Sequence, residues 1–165
     1  TEMSLNKFLK FWPIVEAVAS MSKDPSTRVG ALALDDNMNI IATGFNGFPR
    51  GVKDDISRYM DRDTKLRLVS HAEQNLIAQA AYGGRTLKGS TILVSSLYPC
   101  ANCAKSIIQA GVVRVMSPEP DSSDRWLEES KWAKLMFDES SVEQIYVRKI
   151  ETVDGSAIWS IVGDR

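Results

Sequence analysis

"STILVSSLYPCANCAKSIIQAGVVRVM" (residues 90–116) decides the architecture. Its first part is a β-rich apolar run. Its middle, residues 100–110, has helical spacing and ends at Gly111, and "VVRVM" is a second short apolar run. Strand, helix and strand in that order form a crossover unit, which implies parallel strands in an α/β sheet. Pro99 suits the opening of a helix because it has no N–H to leave unpaired. Cys100 and Cys103 then sit three apart on one helical face.

Working outward, His71 to Tyr82 reads as a helix stopped by Gly83 and Gly84, and residues 124–137 as another. "VEQIYVRKI" (142–150) reads as a strand. Upstream, residues 29–34 and "IIATGF" (40–45) flank the turn "DDNMN", a hairpin pattern. Leu5, Phe8, Leu9, Trp12, Val15 and Ala19 recur at helical spacing, so Leu5 to Met21 is expected to be one amphipathic helix. Residues 46–63 read as a long loop, a place where compact domains keep function. The acidic stretch 117–123 is a second loop. The tail, 151–165, either adds a strand or meets a partner. The sum is one α/β domain over residues 1–165, a mixed five-stranded sheet that starts with a β-hairpin and carries helices on both faces. In such sheets active groups gather where strands feed helices, and His71 and Cys100 both stand at helix starts.

Bulk composition narrows the class. Twenty Lys and Arg against 21 Asp and Glu leave a net charge of −1, so nothing in bulk electrostatics calls for nucleic acid. No apolar run approaches the roughly 18 residues of a membrane span. "FLKFWPIVEAVASM" is broken by Lys10, Pro13 and Glu16 and makes no signal peptide, and Met3 reads as the natural start. Two cysteines are no secreted disulfide framework, so an intracellular, cytoplasmic setting is expected.

Taken singly, the polar motifs are ambiguous. A lone C-x-x-C fits a redox pair, a metal site or neither. A helix N-terminus lowers thiol pKa, favouring the thiolate that a metal needs. His71, the only histidine, could be structural. "SHAE" (70–73) matches an S-x-x-E capping box, in which Glu73 would only tie down the helix start. Together they read differently. H-A-E and P-C-A-N-C reproduce the H-x-E…P-C-x-x-C arrangement of zinc-dependent deaminases. His71, Cys100 and Cys103 make three ligands and leave the fourth tetrahedral position for water, as a catalytic zinc requires. A structural zinc would want a fourth protein ligand, and the chain has no further cysteine or histidine; a carboxylate, Glu73 nearest, could close the site, but that would waste its proton chemistry. Such an ion lowers the pKa of its water from about 15.7 to about 7, making hydroxide available to attack a carbon that bears an exocyclic amine. Glu73 is then the proton carrier, from water to ring nitrogen to departing ammonia.

"SKDPSTRVGALAL", "GFNGFPRG", "HAEQNLI" and "SLYPCANCAKSIIQAGV", in that order, resemble the deoxycytidylate (dCMP) deaminase family over residues 8–116. The resemblance implies a cytidine-deaminase-like three-layer α/β/α fold, conversion of dCMP to dUMP for thymidylate synthesis, and one catalytic Zn²⁺ per chain. It also implies a homohexamer activated by dCTP with Mg²⁺ and inhibited by dTTP. Asn46, after the second strand, matches an asparagine that contacts substrate in related deaminases. Gly44, Asn46, Gly47 and Arg50 fall in a block tied to the effector nucleotide. Some phage relatives bind a second zinc, for which this chain has no ligands to spare. A monophosphate needs cations or N–H donors near the base, and the candidates are Arg28, Arg50, Lys53, Arg58 and Lys105. Arg28 stands where relatives often carry glutamine. Tyr98 and Phe48 are candidate walls for the base, and Trp132, Met136 and Phe137 read as core or subunit interface. Three rivals stay open: a deaminase acting on dCTP or on a polynucleotide, a non-catalytic zinc-stabilised nucleotide-binding protein, and a redox C-x-x-C protein.

Overall fold

A computed structural model describes residues 2–120, 122–123 and 126–164. Among these, six strands form one mixed sheet in the order β2-β1-β3-β4-β5-β6. β1 (Gly30–Leu34) and β2 (Ile40–Phe45) are the expected antiparallel hairpin. β3 (Thr91–Val94) pairs antiparallel with β1, while β4 (Arg114–Pro118) and β5 (Glu143–Glu151) continue the sheet in parallel. Helices α6 (Ala101–Gln109) and α7 (Leu127–Glu139) make the crossovers. Asp124, the expected start of α7, lies outside the described residues. β4 runs two residues into the stretch expected to be loop.

The central strands β1, β3 and β4 are buried on both faces, which is why they read as continuous apolar runs. One face, with Ala31, Ala33, Ile92, Val94 and Val115, packs against α5 (Ala72–Tyr82), α6 and α7 through Leu76, Ile107 and Phe137. The other, with Leu32, Leu34, Leu93, Met116 and Ile145, is covered by Phe8, Trp12 and Val15. Three layers, α/β/α, are therefore as expected.

Three expectations are corrected. The first helix is two, α1 (Glu2–Leu9) and α2 (Trp12–Ala19), because Pro13 stands in the first turn of α2. Its ring cannot coexist with a helical carbonyl four residues back, so α1 stops at Leu9. The loop 46–63 is partly helical, with α3 (Ile56–Met60) and the start of α4 (Arg62–Leu68), which runs on past the loop and whose N-cap Asp61 accepts the Thr64 amide. Finally, the sheet has a sixth strand. The tail returns as β6 (Ala157–Asp164), antiparallel to β5, and Trp159 lies against Trp12 with ring centroids 5.1 Å apart. No helix among the described residues is long and apolar enough to cross a membrane.

Candidate metal centre and active site

The first half of the site is the junction of β2 with α5. Gly44 lets the two approach: a Cβ there would lie 2.4 Å from the Leu76 nitrogen and 2.5 Å from the Ala72 carbonyl. Gly47 and Ser70 then exchange backbone hydrogen bonds of 3.1 and 2.8 Å. Asn75 donates to the carbonyls of Phe45 and Ser70, at 2.7 and 3.3 Å, locking the start of α5 to the end of β2. His71 is the N-cap of α5, and its backbone N–H is accepted by Gln74 Oε1 at 2.8 Å. The capping partner is thus Gln74, one residue later than S-x-x-E predicts. Glu73 is released from that duty and is only 4% exposed. Burial pushes its carboxyl above the ordinary range, with a hydrogen bond to the Cys103 thiol acting the other way.

The second half is the start of α6. Ser95 Oγ accepts the Gly30 amide at 2.8 Å, tying the end of β3 to β1. Cys100 is the N-cap of α6, and Cys103 is buried in its first turn. His71 Nδ1 lies 3.5 Å from Cys100 Sγ and 3.4 Å from Cys103 Sγ. Tetrahedral zinc, with Zn–N near 2.0–2.1 Å and Zn–S near 2.3 Å, would separate nitrogen from sulfur by about 3.6 Å. The donor set fits that ion. The three ligand atoms all lie within 4.8 Å of one another. A hydrogen bond from Cys103, with a further one from His71, pulls the Cys100 thiol down to about 4. The hydrogen bond to Cys100, together with burial, pushes the Cys103 thiol up. His71 is raised chiefly by its hydrogen bond with Cys100, with Glu73 and Glu129 adding smaller pushes.

Both halves open on one cavity of about 260 Å³. Beside His71, Glu73 and Cys100 it is lined by a second polar group: Asp24, Ser26, Thr27, Asn46, Arg62 and Lys65. Asn46 is the keystone of that group. Its Oδ1 accepts the Val29 amide at 2.9 Å, and its Nδ2 donates to the Thr27 carbonyl at 2.9 Å and to Asp24 at 3.3 Å. Asp24 also accepts the amides of Ser26 and Thr27 and pairs with Lys65 at 2.9 Å. Burial works against its charge, but the Lys65 and backbone donors outweigh it and hold the carboxyl below the ordinary range.

A family model, the cytidine and deoxycytidylate deaminase zinc-binding region, matches residues 6–118. The chain belongs to this deaminase family. Human deoxycytidylate deaminase is 36% identical over 139 residues, covering 80% of this chain and 74% of the relative. An uncharacterized deaminase of Aliivibrio fischeri is 40% identical over 136 residues, 81% of this chain and 88% of the relative. The crystal structure of dCMP deaminase from cyanophage S-TIM5 in complex with dCMP and dUMP superposes with a TM-score of 0.64 at 25% identity. That match covers 82% of this chain and 93% of the other.

Within this deaminase-family cavity the sequence reading and the structure part company on the cations. Of the described residues lining the cavity, none is Arg28, Arg50, Lys53, Arg58 or Lys105; the cations there are Arg62 and Lys65. Arg28 turns back on its own loop, its Nε 3.4 Å from the Asp24 carbonyl. Arg50 lies 4.1 Å over the Tyr82 ring, and Arg58 donates to the Lys53 carbonyl. Phe48 stacks on Tyr59 at 4.1 Å instead of facing the cavity. Tyr98 does line it, with its hydroxyl donating to buried Gln144 and its ring edge-on to Phe137. Of the three α7 side chains read as core or interface, Phe137 is core and Trp132 is 53% exposed. Trp126, Glu129 and Ser130 were missed altogether and form part of the wall. They lie beyond the family-matched segment and carry no local motif.

Proposed function

We propose that the protein is a zinc-dependent deaminase that converts dCMP and water to dUMP and ammonia. The observation that carries this reading is the meeting of His71 Nδ1 with both cysteine sulfurs beside a buried, uncapped Glu73. The named activities of the relatives support the substrate. Zinc held by His71, Cys100 and Cys103 would keep its fourth position for water and bring that water's pKa to about 7. Glu73 accepts a proton as the water oxygen bonds to C4 of cytosine, and passes it to ring nitrogen N3. The second water proton goes to the amine, the C4–N bond breaks, and ammonia leaves. Burial of Glu73 suits both directions of transfer, because a carboxyl pushed toward neutrality is both a workable acceptor and a workable donor. Tyr98, anchored by Gln144, would wall the base.

On the same reading Lys65 and Arg62, with the hydroxyls of Ser26 and Thr27, receive the 5′-phosphate. Lys65 is held by Asp24 rather than left to swing, so less side-chain freedom is lost on binding. A charge-assisted hydrogen bond contributes about 1.5–3 kcal/mol, so Lys65→Met is expected to lower kcat/KM for dCMP roughly 10- to 100-fold. The ratio of kcat/KM for dCMP over deoxycytidine should fall with it; an unchanged ratio removes Lys65 from the phosphate site.

The family resemblance extends the proposal to a homohexamer supplying thymidylate precursors, with dCTP–Mg²⁺ as activator and dTTP as inhibitor. Of the expected effector residues Gly44, Asn46, Gly47 and Arg50, Asn46 alone lines the cavity among the described residues. The deciding experiment is ammonia release from dCMP, dCTP, cytidine, deoxycytidine and a cytosine oligonucleotide, each with and without dCTP and Mg²⁺. Turnover of dCMP above the others is expected. Preference for the oligonucleotide, or no turnover by zinc-loaded protein, overturns the reading.

A further inference from the structure

A helix whose N-cap residue is a metal ligand has a capping problem. The first N–H groups of any helix lack intrahelical partners, and the N-cap and N3 side chains normally serve them. In α5 the N-cap is His71, and Gln74 at N3 supplies the acceptor. In α6 the N-cap is Cys100, which makes no side-chain cap bond, and N3 is Cys103. The C-x-x-C spacing thus consumes both capping positions. The N1 N–H, which neither capping position would serve, finds its acceptor on another helix: Glu129 Oε2 of α7 accepts the Ala101 N–H at 3.0 Å. α7 is itself anchored by buried Ser130, Ala133 and Phe137. Glu129 also lines the cavity, next to the ligand pair it braces.

We propose that Glu129 is a positioning residue of the metal centre: its bond to the Ala101 N–H fixes the first turn of α6 and so holds Cys100 and Cys103 in place against His71. The inference rests on the zinc reading above, though not on dCMP as the substrate. It gives α7, outside the family-matched zinc-binding region, a direct mechanical link to the ligands. Outer partners of metal ligands typically change affinity about 10- to 100-fold.

The test uses the full-length zinc-loaded protein, with zinc content measured first and zinc release to a colorimetric chelator then followed at neutral pH. Glu129→Ala should weaken zinc retention about tenfold or more. Glu129→Gln keeps an oxygen acceptor and should retain zinc nearly as the native protein does. Ala101→Pro removes the donor from the other side. Proline is favoured at N1, and Cys100, at φ −74° and ψ 170°, already has the extended backbone that precedes proline. This variant should lose zinc retention like Glu129→Ala, and combining the two should add little. Native-like zinc retention in Glu129→Ala, even with a lowered melting temperature, overturns the proposal. So does equal loss in Glu129→Gln, which would assign the effect to charge. If Glu129→Ala does not fold, Ala101→Pro and Glu129→Gln decide between the same outcomes. Absence of zinc from the native protein would sink the proposed function itself, whereas native zinc unaffected by any variant sinks only this inference.

Discussion

Glu73→Gln is expected to leave the zinc content and melting behaviour of the protein near native while lowering kcat on dCMP by about 10²–10⁴, the usual range for general acid–base catalysis. The substitution keeps shape and one oxygen but cannot carry a proton between water and base. No neighbour can replace it. Asp24, the other buried carboxylate on the cavity wall, is committed to Lys65 and the amides of Ser26 and Thr27 and is held below the ordinary carboxylate range. Glu129 is bonded to the Ala101 N–H. The loss should appear in single-turnover measurements as well as in the steady state, because the chemical step is the one affected. A variant within a few-fold of native, with full zinc, would place the proton carrier elsewhere and return Glu73 to a structural role.

Why Glu73 is available at all shows what the sequence could and could not reveal. The pattern S-x-x-E was visible, but a capping box is decided by where the helix starts. The chain enters α5 at Ala72, so the fourth residue of the box is Gln74. The register error is one residue, and it frees Glu73 from capping for the proposed proton transfer. The candidate ligands were readable because a metal site spans few residues at fixed spacing, and His71 and Cys100 each stand at the start of a helix run. The strands β1, β3 and β4 were readable for a related reason: the centre of a sheet covered on both faces leaves continuous apolar runs. β6 is an edge strand with no fully buried residue, and its packing, Trp159 on Trp12 with Ile161 beside it, is a contact across the length of the chain. Lys65, Arg62 and Glu129 reach the cavity through tertiary packing of α4 and α7. Each looks locally like any solvated charge on a helix, and only the folded chain separates them from Arg28 or Lys105.

Removing the metal is expected to have the largest effect of all: complete loss of turnover, restored by about one equivalent of zinc per chain. The ligand geometry also predicts a stability change. His71 belongs to α5 and the cysteines to α6, so one ion cross-links the starts of two helices that otherwise meet across the cavity mouth. An ion bound at 1,000 times its Kd stabilises the folded state by about 4.1 kcal/mol. For a chain of this size each kcal/mol moves Tm by about 2–4 °C, so chelation should lower Tm by roughly 10 °C. The pH dependence has a definite sign. Binding needs both sulfurs as thiolates, and the Cys103 thiol is pushed up by Cys100 and by burial, so the ion must displace its proton. His71, raised by its bond to Cys100, must also be neutral to ligate. Zinc affinity therefore rises with pH, and a chelator should strip the protein faster as pH falls. His71→Ala should reproduce the chelated state at every pH, with residual zinc no longer catalytic, because two sulfurs alone leave the ion unlinked to α5. Full activity in metal-free protein, or chelator release independent of pH, would contradict a site in which one cation displaces the protons of Cys103 and His71.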